Sequence, residues 1–332
     1  MSLLLALSPS ILWGFMGILL MKFGGNSRQQ TMGQILGGLI VGVLFAVFFG
    51  TNPSLTDNMV AFVSGLIMST GILFQMKAYH NIGVSRVMPL TTGLQLLGFA
   101  LVGVLGFGEW LGTPALPVGI TGVVAITAGV LLTAWTEKQD TVSPVPVPVI
   151  EPGESGELGY APADRTATVD TDSGSAPTST QLRAGIIQTL LCTAFYIAAP
   201  LPIRVFDVDP VTTFLPQSLG WVVMGILVTF PLVAGDRGAK DDRFSKYTLR
   251  AMIPGAMWAL GVVVMQFSQA TVGVAIGFSL SQMGVVISTF GGIWLLGETR
   301  TKREMQVITL GVVCLVIGAL LLGLAKSLDV PI

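Results

Sequence analysis

Residues 65–84, GLIMSTGILFQMKAYHNIGV, have a counterpart 190 positions later, GAMWALGVVVMQFSQATVGV at residues 255–274. Glycine occupies the first, seventh and nineteenth positions of both copies, and valine follows the last glycine. Each copy leads to a Gly-Glu pair, at residues 108–109 in the first half and 297–298 in the second. This spacing predicts that the chain is built from two similar halves.

The composition indicates that lipid surrounds much of the chain. Of its 332 residues, 52% are hydrophobic and 11% are charged, whereas soluble proteins carry roughly 25% charged residues. Ten apolar segments are long enough to cross a bilayer core. We expect them to be helices, because lipid offers no hydrogen-bond partners for backbone polar groups. The predicted spans are residues 3–23, 32–50, 58–78, 87–107, 115–136, 183–202, 212–234, 250–269, 272–296 and 304–325.

The predicted spans divide into two sets of five around a polar stretch. Residues 137–182 are rich in Pro, Ser, Thr, Glu and Asp. Such a segment cannot bury enough apolar surface to fold, so we predict a flexible acidic and Pro-rich tether. Residues 1–136 and 183–332 then form two five-helix repeats. Because five is odd, the repeats should be inverted in the membrane, as in many secondary transporters, whose substrate site lies between the repeats near mid-membrane.

The positions of the basic residues predict the orientation of this all-α, multi-pass protein. All of the 17 Lys and Arg residues except Arg204 and Lys326 lie on the same side of the predicted spans as the tether. Cytoplasmic loops carry an excess of Lys and Arg. The tether should therefore be cytoplasmic, and both termini should lie outside the cell membrane.

Polar residues within the spans are mainly amides and hydroxyls. Such groups can exchange hydrogen bonds with a small, uncharged polar solute, and aromatic rings can pack against its apolar face. Thr91 and Gln95 are four residues apart and therefore share a helical face. The 190-residue offset pairs Thr92 in the first half with Gln282 in the second. The predicted substrate-binding residues are Gln75, Thr91, Thr92, Gln95, Ser279, Ser281 and Gln282, together with Trp13 and Trp258.

Each of these residues has a structural alternative. Hydroxyls and amides in spans often bond packed helices to each other, and Trp13 and Trp258 could serve in core packing. Trp110 lies near a span end, where tryptophan is typical of an anchor at the membrane interface. Further candidates from the second half are Tyr196, Gln217, Gln266 and Gln269.

Several motifs carry a resemblance to a known family. They are GVSRVMPLTTGLQLLG at 83–98, GEW at 108–110, PGAMWALGVVVMQFSQATVGVA at 254–275 and FSLSQMGVVISTFGGIWLLGE at 278–298. In these stretches the chain resembles the sugar-uptake permeases of the glucose/ribose porter family, within the drug/metabolite transporter superfamily. The resemblance implies a ten-helix carrier that imports a simple sugar, glucose or a related monosaccharide. The alternative within the superfamily is export of small metabolites or drugs.

Carboxylates deep within spans would mark a proton or ion pathway, and the sequence offers only Glu109 and Glu298, at span ends. Each carboxylate is predicted either to accept hydrogen bonds from the first turn of the next span or to act in proton coupling. The spans contain no paired carboxylates, metal-ligand spacing or nucleophile–base set. We therefore expect no enzymatic activity, cofactor or metal. The expected partners are a small sugar and the lipid bilayer, not nucleic acid.

Overall fold

The computed structural model describes residues 2–52, 54–108, 110–135, 137, 177–235, 240–272 and 281–329. The regular elements within these ranges are helices, as the sequence predicts. They are α1 (Ser2–Phe23), α2 (Ser27–Phe49), α3 (Leu55–Ile82), α4 (Val84–Phe107), α5 (Ala115–Ala134), α6 (Ser179–Ala198), α7 (Leu201–Val205), α8 (Phe214–Val228), α9 (Pro231–Ala234), α10 (Lys246–Val272), α11 (Gly284–Leu295) and α12 (Lys302–Leu328).

The apolar character of the helices fits a bilayer. In the described part of the chain, seven helical stretches are long and apolar enough to cross a membrane, and three others have apolar lengths of 10–17 residues. The shorter ones are Leu7–Phe23, Phe214–Val228 and Gly284–Leu295. All three lie within predicted spans.

Helix bounds differ from the predicted spans by several residues in places, and two of the differences have a local cause. The tether is predicted to reach residue 182, but α6 begins at Ser179 because Thr178 caps it. The Thr178 hydroxyl accepts a hydrogen bond from the N–H of Gln181 at 3.3 Å, and the Gln181 side chain accepts one from the N–H of Thr178 at 2.9 Å. This capping box satisfies backbone donors that a helix start leaves without partners. The predicted span 212–234 is divided between α8 and α9, where Pro231 has no N–H to continue the helix.

Helix packing follows the same plan in both halves. Helix α3 packs against α8 and α6, and α10, its counterpart in the second half, packs against α2 and α1. Likewise α1 contacts α11, whereas α6 contacts α4. Exchanging α1 with α6, α2 with α8, α3 with α10 and α4 with α11 converts each of these pairs into another observed pair. The internal repeat of the sequence is therefore reflected in the packing.

The first glycine of each repeated stretch explains two of these contacts. A Cβ atom at Gly65 would overlap the backbone carbonyl oxygen of Gln217, so α3 and α8 approach closely there. A Cβ atom at Gly255 would meet the backbone of Gln34 in the same way, between α10 and α2. Small residues permit such backbone approach between membrane helices.

Candidate functional site

A cavity lies between the two halves of the chain. Its volume is about 560 Å³, within the range of small-molecule sites. Its walls come from α1, α3 and α4 of the first half and from α6, α7, α8, α10 and α12 of the second. Seven of the predicted site residues line it, namely Trp13, Gln75, Thr91, Thr92, Gln95, Trp258 and Gln282.

The two ends of the cavity differ in access. Arg204 of α7 lines one end and is exposed, so the cavity reaches the surface there. Met88 and Thr91 line the other end and are 8% and 2% exposed. One turn further along α4, Ser85 is also buried, at 1% exposure. The described side chains are therefore exposed at the Arg204 end and buried toward Ser85, and we call these the open end and the closed end of the cavity.

Gln95 and Gln282 bring amide groups from opposite halves to the same cavity. Both side chains are half-buried. The Gln282 amide nitrogen donates to the Ser281 hydroxyl at 3.2 Å, which leaves its carbonyl oxygen for other partners. Neither the Gln95 amide nor the Thr92 hydroxyl has a hydrogen-bond partner within the described residues. These groups can therefore serve a polar solute, since an amide offers two donors and one carbonyl acceptor.

Two predicted hydroxyls have structural roles in this arrangement. The Thr91 hydroxyl donates to the carbonyl oxygen of Val87 at 2.6 Å, within its own helix. Thr91 reaches the cavity, but its donor is already used. Ser281 does not line the cavity; it is buried, and its hydroxyl orients the amide of Gln282. Ser279 lies outside the residues that the structure describes.

Gln75 is held in place from the second half. The Tyr196 hydroxyl donates to the Gln75 side-chain oxygen at 2.7 Å, and both residues line the cavity. Gln217 also lines it and donates to the Ser64 hydroxyl at 3.0 Å. Tyr196 and Gln217 thus join the cavity, whereas the side chains of Gln266 and Gln269 lie outside the described part.

The cavity aromatics occupy equivalent places in the two halves. A Cβ atom at Gly71 would overlap the ring of Tyr196, and one at Gly261 would overlap the indole of Trp13. These are the second glycines of the two repeated stretches. The Trp13 indole N–H donates to the carbonyl oxygen of Trp258 at 3.1 Å. The indole N–H of this partly buried tryptophan is thereby satisfied, and the rings give the cavity a partly apolar wall.

The structure corrects the prediction for Trp110. This residue is 5% exposed and lines the cavity instead of anchoring the chain at a membrane interface. Its backbone has a positive φ of 68°, and its N–H donates to the Asp329 carboxylate at 2.8 Å. The turn carries the indole against Gly119 of α5, where any side chain would overlap it. The position of Trp110 near the end of a predicted span does not indicate that a turn directs its side chain into the cavity.

A charged cluster lies at the closed end of the cavity. The Glu298 carboxylate accepts hydrogen bonds from the N–H groups of Val84 and Ser85, at 2.7 and 3.3 Å, and from the Ser85 hydroxyl. Arg300 donates to it at 3.0 Å. Glu298 therefore caps a helix, as predicted. The capped helix is α4 of the other half, however, and not the next span along the chain. Glu109 lies outside the described residues.

The electrostatics of this cluster are balanced by a second carboxylate. Arg86 is 3.5 Å from Glu304 and is buried. Burial lowers the pKa of the Arg300 guanidinium from its usual value, while Glu298 and Glu304 raise it. Two guanidinium groups and two carboxylates are thus packed together, which limits the cost of removing these charges from water.

Comparison with known proteins assigns the chain to a family. The family model described as "Sugar transport protein" matches residues 4–149 and 164–325. The chain belongs to this family of sugar transport proteins. The glucose uptake protein GlcU of Bacillus subtilis is 35% identical over 327 residues, which cover 98% of this chain and 99% of that protein. A "probable glucose uptake protein GlcU" of Bacillus cereus is 36% identical over 329 residues, covering 98% of this chain and 100% of the relative.

Family membership confirms the resemblance to sugar-uptake permeases. The family is one of transport proteins, and the GlcU relatives are named for glucose uptake. Family membership and the seven long apolar helical stretches in the described residues together identify the chain as a multi-pass membrane protein.

Proposed function

We propose that the chain imports a simple sugar, glucose or a related monosaccharide, by alternating access. The observation that carries this proposal is that Gln95 and Gln282, from different halves, line one cavity of sugar-compatible chemistry. The Gln95 amide and Thr92 hydroxyl supply hydrogen-bonding groups, and Trp13 supplies an aromatic face. Apart from Arg204 at one end, the described lining is uncharged, which suits a neutral polyol. The names of the GlcU relatives support the choice of glucose.

The proposed architecture is ten transmembrane helices in two inverted five-helix repeats. The exchange symmetry of the helix packing supports two repeats, and an odd number of spans in each would invert them. We further propose that residues 137–182 connect the repeats on the cytoplasmic side and that both termini lie outside, as the Lys and Arg distribution predicts. The sugar would then enter from the Arg204 end and leave past Ser85.

Coupling to protons is part of the proposal, with Glu298 as the candidate carboxylate. Its neighbours are donors, namely the N–H groups of Val84 and Ser85, the Ser85 hydroxyl and the Arg300 guanidinium. A neutral side chain at this position would weaken these bonds. Glu109 stays a sequence-based candidate. A Glu298→Gln variant should equilibrate sugar across the membrane but no longer accumulate it, whereas accumulation at the wild-type level would exclude Glu298.

Uptake of labelled glucose tests the proposed function. Cells that lack their own glucose systems and express the chain should take up the label faster than cells with an empty vector, and unlabelled monosaccharides should compete. An uncoupler should abolish accumulation but not equilibration. Faster loss of label from preloaded cells, without uptake, would instead favour export. Membrane-inserted protein with neither activity would contradict sugar transport.

A further inference from the structure

The closed end of the cavity is formed by contacts between the two halves of the chain. Helix α4 of the first half presents its N-terminus there, and the connection between α11 and α12 of the second half presents Glu298 and Arg300. Nothing covalent fixes these segments to each other, since more than 200 residues separate Ser85 from Glu298. The closure of this end therefore depends on side-chain contacts.

Glu298 makes the main contact between the halves. Its two carboxylate oxygens accept hydrogen bonds from the first two N–H groups of α4 and from the Ser85 hydroxyl. Arg300 donates both to Glu298 and to that hydroxyl. A charged acceptor at a helix N-terminus is favoured by the helix dipole, and each of these bonds is charge-assisted. Separation of the halves would break the bonds to α4 together.

Two glycines allow this close contact. A Cβ atom at Gly83 would lie 2.6 Å from the carboxyl carbon of Glu298, and Gly83 has a φ of +82°, which favours glycine. On the opposite side, a Cβ atom at Gly292 of α11 would lie 2.8 Å from the backbone nitrogen of Ser85. Backbone and carboxylate therefore meet without intervening side chains at the closed end.

A second ion pair extends the contact. Arg86 of α4 lies 3.5 Å from Glu304, which is 7% exposed. Glu304 also belongs to the capping box of α12, where its side chain accepts from the N–H of Thr301 at 3.2 Å. The start of α12 and the start of α4 are thus linked through the same carboxylate, so a movement of one relative to the other would disturb both.

We propose that Ser85, Arg86, Glu298, Arg300 and Glu304 form the gate that closes one face of the cavity. Opening this gate would release the solute at the Ser85 end. The inference rests on the proposed alternating access, because a gate has a task only if both faces open in turn. A charge cluster suits this task, since water can replace its hydrogen bonds when the halves separate, whereas apolar contact would not be replaced.

The test measures from which side a cavity cysteine can be modified, without any sugar. Thr92→Cys, at a half-buried position of the cavity lining, is introduced after Cys192→Ala and Cys314→Ala, and a membrane-impermeant thiol reagent is added to either side of sealed vesicles. Arg303→Cys and Phe206→Cys, both at exposed positions, mark the Ser85 side and the Arg204 side. With the native gate, Thr92→Cys should react much faster from the Arg204 side than from the Ser85 side.

Weakening the gate should change this pattern. Glu298→Ala should raise the reaction rate from the Ser85 side roughly tenfold, since loss of a charge-assisted contact shifts a two-state equilibrium by about that factor. Ser85→Ala, a milder change that removes one hydroxyl, should act in the same direction and decides the outcome if Glu298→Ala does not fold. Arg303→Ala, whose pair with Glu137 at 3.9 Å is exposed, is the control and should have no effect.

Two results would overturn the gate. One is a folded Ser85→Ala or Glu298→Ala protein in which Thr92→Cys reacts from the Ser85 side at the native rate. The other is equal reaction from both sides in the native protein. Because the assay contains no sugar, its failure is distinct from a failure of the proposed uptake, which the labelled-glucose experiment detects.

Discussion

Replacing both Gln95 and Gln282 with leucine should raise the apparent KM for glucose uptake without removing the protein from the membrane. Each amide is proposed to bond a sugar hydroxyl, and a neutral hydrogen bond contributes about 1 kcal/mol. Loss of two such bonds, about 2 kcal/mol, corresponds to an increase of roughly thirtyfold in KM. Each single substitution should cost about fivefold by the same reasoning. Initial rates of labelled-glucose uptake over a range of concentrations provide the measurement.

Gln306→Leu is the matched control for these variants. Gln306 lies on α12 and is exposed instead of lining the cavity. Its replacement makes the same chemical change and should leave KM at the native value. An unchanged KM in the double variant, at normal membrane abundance, would reject Gln95 and Gln282 as sugar-binding residues. In that case, the two amides would not contact the sugar.

Adding one methyl group at Gly65 or Gly255 should destabilise the folded protein. A Cβ atom at either position would overlap backbone atoms of the facing helix, in Gln217 or Gln34. Backbone cannot rotate aside, so α3 and α8, or α10 and α2, must separate. Overpacking costs about 1–3 kcal/mol, which for a chain of this length corresponds to a fall of roughly 1–5 °C in the midpoint of thermal unfolding. The midpoint of purified Gly65→Ala and Gly255→Ala protein, in detergent, is the measurement.

Gly106→Ala controls for the helix propensity of alanine. Gly106 also lies in a helix, but the nearest atom to its Cβ would be 3.9 Å away, in its own helix at Val102. Alanine favours a helix more than glycine does, so this variant should unfold at the native temperature or above it. Equal midpoints for the Gly65→Ala, Gly255→Ala and Gly106→Ala proteins would contradict the close helix contacts.

Sequence reasoning located much of the cavity because two of its arguments are local. Helical spacing puts Thr91 and Gln95 on one face, and the repeat offset relates Thr92 to Gln282. Both arguments describe residues that the structure brings to the cavity. They do not fix the rotation of a helix about its axis. Ser281 precedes Gln282 by one residue and therefore points elsewhere.

The remaining differences arise from contacts between distant segments. The sequence Gly297-Glu298 predicts a cap, but only the tertiary fold puts Glu298 at the start of α4. Trp110 reaches the cavity through a turn with positive φ. The residues next to it in the sequence do not predict this turn. The start of α6, in contrast, could be predicted, because Thr178 and Gln181 have the spacing of a capping box.

Protection of cavity cysteines by glucose tests most directly whether a sugar binds between the two halves. Val102→Cys of α4 and Val262→Cys of α10 put one thiol in each half at the cavity lining, after Cys192→Ala and Cys314→Ala. Glucose at about ten times its Kd should slow the modification of both thiols roughly tenfold, because about nine-tenths of the cavities are then occupied. Phe206→Cys, outside the lining, should react at an unchanged rate. Unprotected thiols at both Val102 and Val262, in protein that still transports glucose, would contradict a sugar site between the halves.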